Sequence, residues 1–193
     1  MAPHSYNIRR ITISAVFLSL SLVTQTMLSF YIPFMGQNAM RVGIAGVFTV
    51  IPALLFGPVY GAAVYGLADI LGYLFRPMGA YLPLMTAVAV FGGFLRGILW
   101  KYLNKSNNSF KGRILPLIIT LMAGGLAVTT LNTLVLRETV YDAWKLLPFA
   151  VVWLPRMLNA LVTNAVYIFI TAFILNIYYK IYGGQDAYSQ RNH

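Results

Sequence analysis

Cysteine is absent from the chain, and its two histidines stand at positions 4 and 193. No disulfide, thiolate metal site or cysteine nucleophile can form, and no histidine-based catalytic or metal centre is expected. Charge is also scarce. Charged residues make up 9% of the chain, whereas a soluble domain carries about 25%. There is no phosphate-binding glycine loop, no G-x-S-x-G element and no pair of carboxylates at catalytic spacing. The expectation is therefore no catalytic residues, no metal and no cofactor: not an enzyme. No cleavable leader is expected either, because the first apolar run is too long and lacks a small-residue cleavage pattern.

What is present is apolar chain. Hydrophobic residues make up 59% of the 193 positions, in runs that match the roughly 20 residues needed to cross a bilayer as a helix. The reading is a single all-α membrane domain over residues 1–193 with six crossings. The first takes residues 11–32, and 33–40 form a loop. The second is short, 42–56, with Pro52 able to kink it. After a break at Gly57-Pro58 the third runs over 59–75, and Arg76-Pro77-Met78-Gly79 is the next turn. The fourth takes 80–100. Residues 101–113 are the clearest hydrophilic linker, and the fifth crossing covers 114–136. Residues 137–153 form an aromatic loop with a short interfacial helix, and the sixth crossing starts near Pro155, where a missing N–H costs nothing in a first turn. No internal repeat is evident, which weighs against an inverted-repeat carrier.

The net charge of +10 is explained by membrane topology rather than nucleic acid, because no basic helix is interleaved with aromatics. Six crossings put both termini on one side. If that side is the cytoplasm, the inside holds Arg9, Arg10, Lys101, Lys105, Lys111, Arg113, Lys180 and Arg191. The outside holds Arg41, Arg76, Arg137, Lys145 and Arg156. Lys and Arg concentrate on cytoplasmic flanks, so the bias favours N-in, C-in.

The outer cations nevertheless form a surplus, and Tyr81, Tyr141, Trp144 and Trp153 accompany them. Guanidinium forks suit carboxylates and rings suit rings, so this end fits an anionic, flat ligand. The same residues also fit an interfacial aromatic belt with snorkelling cations in contact with membrane lipid. Asp69 and Arg96 are the two intramembrane ions. Either can be structural, and they can pair, although Asp69 falls near mid-membrane and Arg96 nearer the inner surface. Asn132, near the outer end of the fifth crossing, is a hydrogen-bonding candidate for a ring edge. Ala15 and Ser19 form a small-x-x-x-small pair able to dock a partner helix or pack within the bundle.

The stretch 40–79 is the most specific. Arg41-Val42-Gly43, Leu55-Phe56-Gly57-Pro58, Gly61 and Gly66-Leu67-Ala68-Asp69-Ile70-Leu71-Gly72 resemble the folate-family substrate-binding (S) component of energy-coupling factor (ECF) transporters. Asn132-Thr133-Leu134 and Leu154-Pro155-Arg156 are similar to that family's elements near helices 5 and 6. The resemblance implies a plasma-membrane protein that captures a vitamin from outside and hydrolyses no ATP. Its implied partners are a transmembrane coupling subunit, contacted through Ala15 and Ser19, and two cytoplasmic ATPases. The segment Arg76-Pro77-Met78-Gly79-Ala80-Tyr81-Leu82-Pro83-Leu84 departs from the family pattern, with a diluted aromatic pair and an added cation. Gly43-Ile44-Ala45-Gly46 departs from it as well. Folate fits a basic, aromatic outer face, and pantothenate or a cobalamin-related compound stays open. The expected ligand residues are Arg41, Arg76 and Arg156 for carboxylates, Tyr81 and Trp144 for stacking, and Asn132 for the ring edge. A membrane assembly protein without a small-molecule ligand is the reading from another class.

Overall fold

The computed structural model describes residues 3–34, 37–77, 80–104 and 110–189, and their side chains apart from 3–6, 30–42, 110–111 and 182–189. The element order is α1 (Pro3–Met27), β1 (Phe30–Phe34), β2 (Gln37–Val42), α2 (Ala45–Phe56), α3 (Pro58–Phe75), α4 (Pro83–Leu103), α5 (Phe110–Thr139), α6 (Asp142–Lys145) and α7 (Phe149–Ser189). Among the described residues five stretches are long and apolar enough to cross a membrane: Asn7–Met27, Pro58–Phe75, Pro83–Leu103, Gly112–Thr139 and Phe149–Ile181. The twelve residues of α2 form a shorter apolar helix, about 18 Å long at 1.5 Å per residue.

The first expected crossing ends early, at Met27, and residues 33–34 and 37–40 of the expected loop lie in two antiparallel strands, 35–36 being outside the described residues. Phe30-Tyr31-Ile32 is the aromatic and β-branched composition that favours a strand. Pro33 then rules out helical continuation. Register slips between Ile32 and Phe34, at the proline that has no N–H for the ladder.

At the break between α2 and α3, Gly57 has φ +95°, a backbone region L side chains avoid. Pro58 opens α3 at its first turn. The fourth helix starts at Pro83 rather than residue 80, because Leu82 is held extended (φ −114°, ψ 102°) ahead of the proline. Helix α5 extends past the expected 114–136 at both ends. The last helix begins at Phe149, so Pro155 lies inside it and not at its first turn. Pro148 stands just ahead of the helix, and Val151 N–H bonds the Pro148 carbonyl at 3.0 Å.

Helix α2 lies at the centre, against α1, α3, α4 and α7. Val47, Val50, Ile51 and Leu54 from it join Trp100, Leu117, Leu121 and Leu175 in the main apolar core. These residues come from the end of α4, the start of α5 and the far part of α7, so the dense core occupies one end of the bundle. The outward faces of the long helices are apolar, with Ile11, Val16 and Leu20 on α1, Leu115 on α5 and Phe169 on α7 exposed.

Helices α3 and α4 meet backbone to backbone. A Cβ on Gly61 would lie 2.5 Å from the Gly93 carbonyl oxygen, and one on Gly93 would collide with that of Gly61. Gly97 is closed in the same way by Pro58. These pairs are centred in sequence near residue 77, within the α3–α4 connection, as an antiparallel helical hairpin requires.

Candidate ligand-binding site

The end opposite the dense core collects the polar and aromatic side chains. It is formed by the C-terminal ends of α1, α3 and α5, the hairpin, α6 and the N-terminal ends of α4 and α7. Two clusters stand there, one on each helical pair.

On α3 and α4, Thr86 Oγ1 donates to Asp69 Oδ2 at 2.7 Å, and Tyr81 Oη lies 2.7 Å from Thr86 Oγ1. The threonine proton is committed to the carboxylate, so Tyr81 donates to Thr86. The Tyr81 ring packs on Tyr73 with centroids 5.1 Å apart. Arg76, exposed at the end of α3, donates through Nη1 to the Ser29 carbonyl at 3.4 Å. Nearby, the Gln25 side chain fills the space beside Gly72, linking α1 to α3.

On α5, α6 and α7, Arg156 Nε donates to Thr133 Oγ1 at 3.0 Å, and Thr133 in turn donates to the Thr129 carbonyl at 2.7 Å. The Arg156 guanidinium is 5.8 Å from the centre of the Trp144 ring, a cation–π distance. Trp144 is 1% exposed and packs on Tyr141 with centroids 4.4 Å apart. Trp153 Nε1 donates to Thr130 Oγ1 at 2.9 Å. Arg137 pins the α6 segment, donating from Nη2 to the Lys145 and Leu147 carbonyls at 3.4 Å each. Asn132 Oδ1 is buried without a hydrogen-bond partner among the described residues.

Lys145 Nζ and Asp142 Oδ1 form an ion pair at 2.9 Å on the surface of α6. The hydrogen bond and charge of Lys145 hold the Asp142 carboxyl below its ordinary range, and Asp142 raises Lys145 in the same way.

The expected site residues thus divide. Arg76 and Tyr81 belong to the first cluster with Asp69, while Asn132, Trp144 and Arg156 belong to the second. The ring contact of Tyr81 is with Tyr73 and not with Trp144. Arg41 pairs opposite Tyr31 in the hairpin, and its side chain lies outside the described residues. Asp69 and Arg96 do not pair. Asp69 takes its hydrogen bond from Thr86, whereas Arg96 is 5.2 Å from the Tyr65 ring centre. Ala15 and Ser19 are exposed on α1, with Ser19 Oγ donating back to the Ala15 carbonyl at 3.0 Å.

Thr86 and Tyr73 escaped notice in the sequence, where Thr133 figured only as part of the Asn132-Thr133-Leu134 element. The signal for Thr86 was its distance from the 76–79 turn, which matches that of Asp69 on the other arm of the hairpin.

Residues 9–175 match the family described as the ECF transporter, substrate-specific component, and the chain belongs to it. It is accordingly a multi-pass membrane protein of a vitamin-uptake system, working with an ECF module and a vitamin ligand, and its family consists of transport binding proteins rather than enzymes. Two solved structures share the fold. One is FolT bound with folic acid, 20% identical, with a TM-score of 0.58, covering 84% of this chain and 88% of that one. The other is the S component for biotin from an ECF-type ABC transporter, 18% identical, with a TM-score of 0.55, covering 88% of this chain and 94% of that one. No curated protein matches the chain in sequence.

Proposed function

We propose that this chain is a single six-helix binding domain in the plasma membrane that captures an anionic vitamin, folate first, at the outer face. It delivers the vitamin inward with a transmembrane coupling subunit and two cytoplasmic ATPases. The observation that carries this reading is that two cationic and aromatic clusters, Arg76 with Tyr73 and Tyr81 on one helical pair and Arg156 with Tyr141 and Trp144 on the other, both stand at the end of the bundle away from its dense core.

In this reading Arg41, Arg76 and Arg156 receive the ligand's carboxylates. Tyr81 and Trp144 flank its ring, and Asn132 bonds the ring edge. Asp69 acts through Thr86, holding Tyr81 in place. Both termini lie in the cytoplasm, and α2 completes the sixth crossing with the hairpin above it. Ala15 and Ser19 dock the coupling subunit, since small exposed side chains let a partner helix approach closely.

The FolT and biotin-component structures are about equally similar to this chain, so biotin is the second ligand to consider. The test is saturation binding of radiolabelled folic acid to the purified protein in detergent, with biotin, pantothenate and cobalamin as competitors. Submicromolar folate binding that none of them displaces supports folate. Binding of another vitamin instead retains the transport reading and changes its cargo, whereas no vitamin binding at all overturns the reading.

A further inference from the structure

Arg96 is the only charged side chain in the buried class among the described residues, at 7% exposure. It fills a niche left by two glycines. A Cβ on Gly124 of α5 would fall 2.6 Å from Arg96 Cγ and 2.9 Å from its Nε, and one on Gly92 would fall 3.2 Å from Nη1. A guanidinium carries five N–H donors. Among the described residues this one makes a single hydrogen bond, from Nη1 to the Gly92 carbonyl at 3.3 Å, and lies near the Tyr65 ring. Its Nε is buried with no acceptor among the described residues. A buried charge with so little compensation is costly, and in a membrane segment it marks a functional position.

Among the described residues no carboxylate reaches it. The chain contains four acidic residues: Asp69, Glu138, Asp142 and Asp186. Asp69 is bonded to Thr86 and Asp142 to Lys145. Glu138 stands fourteen residues beyond Gly124 on α5, about 21 Å along the helix. Asn164 on α7 meets Gly125, beside the niche. Asp186 lies twenty-two residues further along α7, about 33 Å away along the axis.

We propose that the bound vitamin supplies the missing anion, with its carboxylate seated on Arg96. The proposal rests on the vitamin-capture reading and adds the ligand's orientation and class. The outer arginines receive the acid first, and Arg96 holds it once bound. On α5, Gly124 packs on Arg96 and Val128 on Gly92, so Asn132 continues the same ridge two turns outward, about 12 Å away. Its unpartnered oxygen calls for an N–H donor. The two orphaned atoms describe a ligand with an acid at one end and ring N–H groups roughly 12 Å from it. Folic acid and biotin have this character, and cationic thiamine does not.

The test compares folic acid and biotin with their carboxamides on wild type, Arg96→Gln and Arg96→Lys, by equilibrium and stopped-flow binding in detergent. Wild type should favour the acid at least a hundredfold and ignore thiamine. Arg96→Gln should bring the acid-to-amide ratio below tenfold by faster dissociation, and Arg96→Lys should keep part of the preference. Arg76→Gln should slow association instead, because exposed charges act on encounter and buried ones on escape.

If neither Arg96 variant folds, the wild-type ratio alone decides, and equal binding of acid and amide overturns the proposal. A wild-type ratio left intact in Arg96→Gln also overturns it while leaving vitamin capture standing. A wild-type chain that binds no vitamin overturns both.

Discussion

Tyr81 reaches Asp69 through one hydroxyl, that of Thr86, in two hydrogen bonds of 2.7 Å each. The carboxylate on α3 thereby orients a tyrosine at the head of α4 without touching it. Thr86→Val deletes both bonds at nearly constant shape. It should cost about 1–3 kcal/mol, at roughly 0.5–1.5 kcal/mol for each of two hydrogen bonds between partly exposed groups. Thermal unfolding in detergent would measure this, and Thr86→Ser should restore most of the loss. A Val variant as stable as wild type would show that the relay does not hold the two helices.

Arg156 is fixed by Thr133 and the Trp144 ring, and Arg76 stands exposed at the end of α3. Charge-assisted bonds to a carboxylate are the strong ones, so Arg76→Gln and Arg156→Gln should each weaken vitamin binding about tenfold or more, near 1.4 kcal/mol. Lys101→Gln, exposed at the other end of α4, should leave affinity unchanged. Similar losses from all three in one titration would contradict the site assignment.

Gly61 and Gly93 face each other's carbonyls. Gly61→Ala and Gly93→Ala force apart two backbones that cannot swing aside as a side chain can. Overpacking of this kind costs about 1–3 kcal/mol, visible as a lowered melting temperature. Ala63→Leu, on the exposed face of the same helix, should change stability by roughly 0.5 kcal/mol at most.

The absence of cysteine makes orientation directly measurable. Lys145→Cys should react with a membrane-impermeant maleimide in intact cells, and Lys101→Cys only after permeabilisation. The reverse labelling pattern would overturn the N-in, C-in orientation.

The Asp142–Lys145 pair sets a pH expectation. With its folded value lowered, Asp142 contributes stability above the ordinary carboxylate range that is lost as pH falls through the lowered value. With its folded value raised, Lys145 contributes below the ordinary lysine range and loses this as pH rises through the raised value. Both groups stay charged between about pH 5 and 9, so vitamin affinity should owe no pH dependence to this pair there. A change in affinity across that interval that disappears in Asp142→Asn would contradict this.

Composition and hydropathy determined the membrane class, since so little charge leaves lipid as the only medium these helix faces suit. Local chemistry determined the break at Gly57-Pro58, because only a glycine takes φ +95° easily and a proline belongs in a first turn. The ordered motifs from Arg41 to Arg156 were enough to identify the family. The hairpin over 30–42 and the early start of α7 were hidden. A short apolar segment reads alike as strand or helix end, and Pro155 resembles a helix start when seen without Pro148. Tertiary structure alone decided the partners. The sequence alone reads Asp69 and Arg96 as the two intramembrane charges, which suggests a pair, yet the α3–α4 hairpin sets Thr86 against Asp69 and α5 sets Gly124 against Arg96. Side-chain pairing depends on which helix faces meet and at what depth, and a linear pattern of apolar and charged residues does not encode that.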